Sequence, residues 1–221
     1  MRASSTNRPH CGMSAWCLLT VLGVTAIAGG STSARAQSTT PSVARLNLET
    51  SDTVFDGVHM QIVHLVAPSL TLTTDTLAAW IPRTGSPEPA GFVLRHRTNN
   101  EVTLSISILD AAWAGQSAAA WSNYQDEITR QLGGEVEVSG QADSEEGPPA
   151  IRLFGWRTRE ATFTWPGPHP EGQWAEHHIL AADGKRAVLF VLRGKAATLP
   201  QYESDFRFFV SRLMLDPGKA D

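Results

Sequence analysis

The chain has 221 residues and a formal net charge of −4, with 42% hydrophobic and 18% charged residues. This composition excludes a collagen, a coiled coil and a fully disordered chain. The length fits one domain, or at most two small ones.

The first 36 residues have the order of a secretory signal peptide. A positive start with Arg2 and Arg8 is followed by an apolar run over residues 15–28 and by a small-x-small site at 34–36. The apolar run has about 14 residues, whereas a membrane-spanning helix needs about 20. We therefore expect cleavage near Ala36 and a secreted or periplasmic mature chain without a membrane span. An uncleaved anchor is the alternative.

The two cysteines of the chain, Cys11 and Cys17, both lie in this leader. The mature chain is therefore cysteine-free, which excludes a disulfide, a cysteine nucleophile and a thiolate metal site. Loss of the leader also removes three of the 18 basic residues, and the remaining 15 face 22 acidic ones, a net charge of −7. Nucleic acid and anionic lipid repel such a protein, so neither is an expected partner.

The mature chain divides into a tail and one domain. Residues 37–53 are polar and aperiodic, so we expect a flexible N-terminal tail. A single domain is expected over 54–216, and its first strands are rich in Val, Ile, Leu and Thr. A hairpin around residues 98–100 follows. Its second strand, 101–109, alternates apolar and polar residues with period two, as half-buried strands do.

A change of period marks the first helix. Ser117 can cap a helix that ends at Leu132, along which apolar residues recur at spacings of three and four. Strand patterns then resume over residues 135–139, 150–159, 161–165, 173–182 and 186–193. An amphipathic helix over 202–213 closes the domain. This order predicts an α+β fold, an antiparallel sheet flanked by helices in an α-β-α sandwich.

Three stretches of the mature chain carry a resemblance to a known group of proteins. They are the strand 102–106 with the helix that starts near Ser117, the segment 147–155, and the closing helix 206–213. These stretches resemble the PsbP-like superfamily, which includes the extrinsic photosystem II subunit P and exported bacterial proteins of the DcrB and LpqN types.

The resemblance covers residues 70–215 and implies a PsbP-like fold. It also implies a non-enzymatic accessory or binding role at the cell envelope. The family has no shared catalytic residues, so none is carried over to this chain. Two segments depart from the family pattern, the additional strand in 54–66 and the long, proline-rich loop 165–174.

The sequence lacks the common catalytic signatures, among them the nucleophile elbow, the His-Glu-x-x-His zinc motif, the P-loop and the dinucleotide-binding fingerprint. We therefore expect no enzyme activity, no cofactor and no metal. The alternative is a metal-assisted hydrolase using His169, Glu176 and His178, since imidazole and carboxylate groups bind zinc. His177 and His178 are adjacent on a strand, so they point to opposite faces and cannot share a metal ion.

The loop 165–174 is the most distinctive segment of the chain. Three prolines make it stiff, and a tryptophan stands at each end. A rigid loop that presents aromatic side chains loses little entropy when it binds a partner. We expect the binding site for an envelope protein or a small ligand to consist of Trp165, His169, Trp174, Glu176 and His178. The alternative is that both indole rings are core residues that anchor the loop.

Overall fold

A computed structural model describes residues 46–83, 91–109, 111–133, 135–143, 145, 150–167 and 172–216. The predicted leader, residues 1–36, lies outside these ranges, and so does His169. Of the predicted tail, only the end from Leu46 onward is described.

The described residues form eleven strands and two α-helices, with two short 3-10 helices. The strands are β1 (Asn47–Phe55), β2 (Val58–Ala67), β3 (Leu70–Thr74), β4 (Trp80–Pro82), β5 (Phe92–His96), β6 (Thr103–Leu109), β7 (Glu137–Asp143), β8 (Arg157–Pro166), β9 (Gln173–Ala182), β10 (Ala187–Lys195) and β11 (Met214–Asp216). The α-helices are α1 (Ala118–Leu132) and α2 (Glu203–Ser211), and the 3-10 helices cover Ala111–Trp113 and Leu199–Tyr202.

The strands form two antiparallel sheets. The smaller sheet has four strands in the order β1-β2-β3-β11, and the larger has seven in the order β4-β5-β6-β10-β9-β8-β7. The protein is thus an antiparallel α+β structure, as predicted. It is richer in β-structure than the predicted α-β-α sandwich, because much of the apolar surface of the larger sheet packs with the second sheet rather than under helices.

The prediction of a flexible N-terminal tail over residues 37–53 is wrong from Asn47 onward, where a strand begins. Strand β1 begins at Asn47 and pairs with β2 along its whole length, from Asn47 opposite Val66 to the turn. Asp56 and Gly57 at that turn have φ of 53° and 80°, as a two-residue type I′ hairpin requires. The side chains of residues 47–54 are exposed, so the strand lacks the apolar alternation that would have marked it. Backbone pairing stabilises it instead.

Helix α1 is confirmed over the predicted range. The Ser117 hydroxyl accepts a hydrogen bond from the Ala120 backbone N–H at 3.1 Å, and the helix ends at Gly133, whose φ is 68°.

No helix among the described residues is long and apolar enough to cross a membrane.

An ion-pair cluster fixes the start of α1 to the edge of the larger sheet. The Asp143 carboxylate accepts hydrogen bonds from Arg157 and Arg159 at 2.7–3.0 Å, and both guanidinium groups also donate to the Gln116 carbonyl. Burial raises the pKa of Asp143, but the two arginines outweigh this effect and lower the pKa well below its ordinary value. The cluster sets where α1 lies on the sheet.

The two faces of the larger sheet bury different cores. One core joins both sheets and α2, and its largest fully buried side chains include Leu65, Leu72, Ile106, Phe190, Phe206 and Phe209. The smaller core lies against α1 and contains Tyr124 and Leu180. We call the face of β8–β10 that bears Glu176 and His178 the α1 face. The opposite face, which bears Ala175 and His177, is the α2 face.

Candidate functional site

Four of the five predicted site residues lie together on the α1 face. Trp165 is in β8. Every second residue of β9 contributes to the same face, namely Trp174, Glu176 and His178. The two tryptophans are directly opposite each other in the β8–β9 pairing. His169 lies outside the described residues. As the sequence predicted, His177 and His178 lie on opposite faces of the strand.

His178 is buried, and hydrogen bonds occupy both of its ring nitrogens. Nε2 lies 2.8 Å from a Glu176 carboxylate oxygen, and Nδ1 lies 2.6 Å from the Tyr124 hydroxyl. An ionised carboxylate only accepts, so Nε2 carries a proton and donates to Glu176, while the Tyr124 hydroxyl occupies Nδ1. No ring lone pair is left for a metal ion while these bonds persist.

The groups on either side of His178 have shifted pKa values. Burial raises the pKa of Glu176, but the hydrogen bond and charge interaction with His178, together with the Arg193 charge, outweigh it and lower that pKa overall. Burial also raises the pKa of Tyr124 well above its ordinary value, and the Glu176 charge adds to the rise. The phenol therefore stays protonated and remains a donor.

The alternative of a metal-assisted hydrolase requires Glu176 and His178 to be free to bind a metal together with His169. Within the described ranges, no group of three or more His, Cys, Asp or Glu side chains is arranged to hold a metal ion. Glu176 and His178 are instead hydrogen-bonded to each other at 2.8 Å. Binding a metal through both would break the bond that neutralises this buried pair.

The end of the α1 face beside the proline-rich loop carries an aromatic and cationic cluster. The Arg193 guanidinium carbon lies 5.8 Å from the centre of the Trp165 ring and 5.4 Å from that of Trp174, both within cation–π range. Trp165 is only 6% exposed, so it is a core anchor. Trp174 is partly exposed and the Arg193 side chain is 50% exposed, so a partner can reach both.

The neck of the proline-rich loop is tied to Trp174. The Gly167 N–H donates to the Gly172 carbonyl at 3.3 Å, which closes the neck. The Trp174 indole packs directly on Gly167, where an added Cβ would lie 2.1 Å from the ring carbon Cδ1. A glycine is therefore required at this position, and the loop neck and the indole hold each other in place.

A cavity of about 220 Å³ opens on the α2 face. Its polar lining comes from Thr162 and Thr164 of β8, His177 of β9 and Glu203 of α2. Its apolar lining consists of Ala175, Leu192, Ala196, Leu199 and Pro200. The cavity thus has a hydrocarbon wall and a wall of hydrogen-bonding groups.

A buried ion cluster lies beside this cavity. Glu160 is fully buried and accepts hydrogen bonds from the Ile151 backbone N–H at 2.6 Å and from Arg207 at 2.5 Å, while His177 Nε2 lies 3.2 Å away. Burial raises the pKa of Glu160, but the hydrogen bonds from His177 and Ile151 and the Arg207 charge outweigh it and lower the pKa. Glu160 is therefore ionised at neutral pH.

Glu203 lies at the rim of the same cavity and is partly exposed. Its Oε1 accepts a hydrogen bond from Arg207 Nε at 3.0 Å and lies 3.6 Å from His177 Nδ1. Sequence reasoning did not select these residues, because α2 is distant in the chain from β8, with a separation of 47 residues between Glu160 and Arg207. The local signal available was that His177 points away from the predicted site on a strand that is buried on both faces.

Neither comparison by sequence finds a relative of this chain. No protein-family model matches it, and no curated protein is a significant match. Several solved structures are similar to it in fold.

Three solved structures illustrate this similarity. Cyanobacterial PsbP from Synechocystis sp. PCC 6803 has a TM-score of 0.44 and 12% identity, over 67% of this chain and 93% of that one. PA94, a Pseudomonas aeruginosa protein of unknown function, has a TM-score of 0.42 and 13% identity, over 76% of this chain and 99% of that one. The Ran-binding protein Mog1p of Saccharomyces cerevisiae has a TM-score of 0.39 and 10% identity, over 72% of this chain and 85% of that one. A PsbP protein is thus among the solved structures similar to this chain, and no residue's role passes from these proteins to this chain.

Proposed function

We propose that the mature chain is an exported, non-enzymatic accessory protein of the cell envelope that binds a protein partner at the loop end of the α1 face. The observation that carries this proposal is the pair of Trp174 and Arg193, stacked 5.4 Å apart and open to solvent. Trp165 anchors the pair from below, and Glu176 lies 3.6 Å from the arginine.

These residue types suit a protein interface. Tryptophan and arginine dominate the binding energy of protein–protein interfaces, where they fill the centre of a well-packed patch. Trp174 is held by Gly167 and Arg193 is oriented by two rings, so both side chains are ordered before a partner arrives. Ordering in advance reduces the entropy lost on binding.

The proposal of an accessory role also rests on the state of His178. The Glu176–His178 pair has the chemistry of a general base with its orienting carboxylate. However, His178 is only 2% exposed, and its remaining nitrogen faces Tyr124 in the core. A substrate would have to displace the tyrosine to reach it. The pair therefore serves the packing of α1 against the sheet.

The binding proposal is tested by capture from the envelope fraction of the source cells with a chemically cross-linked, tagged mature domain. We expect Arg193→Ala to reduce capture of the partner at least tenfold. Arg186→Ala is the matched control, because Arg186 also lies over a tryptophan, 5.5 Å from the Trp156 ring. Equal capture by both variants and the wild type would refute the site, provided that all three melt at similar temperatures.

The export proposal has a separate test. The full chain is expressed in a bacterial host with an export pathway, and the mass of the protein is measured in the periplasmic fraction and in the medium. We expect a product that begins at Gln37, because cleavage follows the small-x-small site at 34–36. A full-length product retained in the cytoplasm would contradict export.

A further inference from the structure

We infer that the cavity on the α2 face binds a small organic cation, a short hydrocarbon chain that carries an ammonium group. This inference is independent of the proposed partner site, which lies on the opposite face of the sheet. It rests on the shape of the cavity, on two threonine side chains that form no hydrogen bond with a described residue, and on the charged groups beside the cavity.

The apolar wall of the cavity accommodates a hydrocarbon chain. Leu192 and Leu199 are buried and line the cavity together with Ala175. Its volume of about 220 Å³ is below the ~300–1,000 Å³ of sites for drug-sized ligands. The cavity therefore fits a small molecule rather than a drug-sized ligand.

The polar wall has unused hydrogen-bonding capacity. Thr162 and Thr164 are two residues apart on β8, so their side chains share one face of the strand, and both residues line the cavity. Both side chains are half-buried, and neither forms a hydrogen bond with another residue in the described part of the chain. Polar groups that are partly removed from water gain free energy when a ligand supplies a partner.

The charges beside the cavity favour a cationic head group. Glu160 and Glu203 contribute two carboxylates, and Arg207 binds both of them with a single guanidinium. The Lys195 ammonium, on the adjacent strand, is paired with Glu101 at 3.1 Å. The two carboxylates therefore share one guanidinium, which leaves them able to bind a further cation at the cavity.

Glu203 supplies the acceptor for this head group. Its Oε1 faces Arg207 and His177, whereas its Oε2 has no hydrogen bond to any described residue. An ammonium group has three donors and no acceptor, so it can bind Glu203 Oε2 and the hydroxyls of Thr162 and Thr164 together. A carboxylate ligand would meet Glu203 with like charge.

The inference is tested by calorimetric titration of the mature protein with hexylammonium, hexanol and hexanoate. These three compounds have six-carbon chains and differ in the charge of the polar group. We expect saturable binding of hexylammonium at one site, at least tenfold weaker binding of hexanol and no binding of hexanoate. Hexanol binding as tightly as hexylammonium, or binding of hexanoate, would overturn the assignment of a cationic ligand.

Two variants locate the site. Glu203→Gln keeps the shape of the side chain and removes its charge, so we expect at least a fivefold loss of affinity. Glu127→Gln is the matched control, because Glu127 is also a helical glutamate paired with an arginine, Arg130. Ala196→Phe fills the cavity and should abolish binding while the circular dichroism spectrum is unchanged. Binding unaffected by either cavity variant would place the ligand elsewhere and overturn the inference.

Discussion

His177 and His178 are consecutive and both buried, yet the two faces of the sheet give them different surroundings. On the α1 face, His178 has a hydrogen bond at each nitrogen, to Tyr124 and Glu176. On the α2 face, His177 has Glu160 at 3.2 Å on one side, while its other nitrogen lies 3.6 Å from Glu203 beside an open cavity.

The helices account for the difference. Helix α1 brings the long Tyr124 side chain directly over His178 and closes the space above it. Helix α2 begins beside His177, and its first residue, Glu203, stands at the rim of the cavity rather than above the ring. Strand alternation therefore decides which face a residue joins, and the helix on that face decides whether the residue is closed into the core or lines a site.

The largest effect should come from the buried carboxylate of the α2 face. Glu160→Ala would leave His177, Arg207 and the Ile151 amide without their shared acceptor. Breaking a buried ion pair from one side costs about 3–5 kcal/mol, so we expect a loss of this size in the free energy of unfolding in urea. Glu137→Ala, an exposed change on β7, is the control and should have little effect. A loss below about 1 kcal/mol would show that the Glu160 cluster is not formed.

The next effect contrasts the closed face with the open one. Tyr124→Phe removes the donor to His178 and leaves a buried acceptor unsatisfied, which costs about 1–3 kcal/mol. Thr164→Val on the α2 face breaks no hydrogen bond to a described residue, so its effect should stay within about 0.5 kcal/mol. Chemical denaturation of both variants measures the contrast, and equal losses would contradict it.

A smaller structural effect is expected at the neck of the proline-rich loop. Gly167→Ala would bring a methyl group to 2.1 Å from the Trp174 ring and displace the indole. We expect a shift in tryptophan fluorescence and weaker capture of the proposed partner, with the cavity on the α2 face unaffected. Gly184→Ala, at a hairpin turn where φ is 90°, strains the backbone without contacting a tryptophan and so controls for a general loss of stability. Unchanged fluorescence and capture in Gly167→Ala would contradict the described contact.

The free energy of unfolding should depend on pH through one buried carboxylate on each face of the sheet, Glu160 and Glu176. The pKa values of Glu160 and Glu176 lie below the ordinary value of 4.5 in the folded protein. As the pH falls, the unfolded chain takes up protons first, so the stability from these carboxylates is complete above pH 4.5 and is lost below it. Glu160→Gln should flatten this decline in urea unfolding between pH 5 and pH 3. An equally steep decline in the variant would show that Glu160 does not contribute.

Local patterns predicted the elements on which these sites are built. The spacing from Ser117 to Leu132 identified α1, and the adjacency of His177 and His178 placed them on opposite faces. The Asp56-Gly57 turn was available as a signal for the first hairpin. Strand β1 was nevertheless missed, because its exposed side chains show no alternation and its stability comes from pairing with β2.

The contacts that define each site were beyond local patterns. Tyr124 meets His178 across 54 residues, and Arg207 meets Glu160 across 47. Such pairs depend on how each helix crosses the sheet, which hydrophobic periodicity does not specify. The sequence therefore predicted that Trp165, Trp174, Glu176 and His178 belong to one site, but it did not predict the cavity on the opposite face.

The difference between the two faces is tested most directly by the imidazole nitrogen NMR spectrum of the mature protein, recorded with and without hexylammonium. We expect the His177 signals to shift saturably, whereas the His178 signals keep their positions throughout. Shifts of His178 equal to those of His177, or no shift of His177 at saturating hexylammonium, would contradict a closed α1 face and an open α2 face.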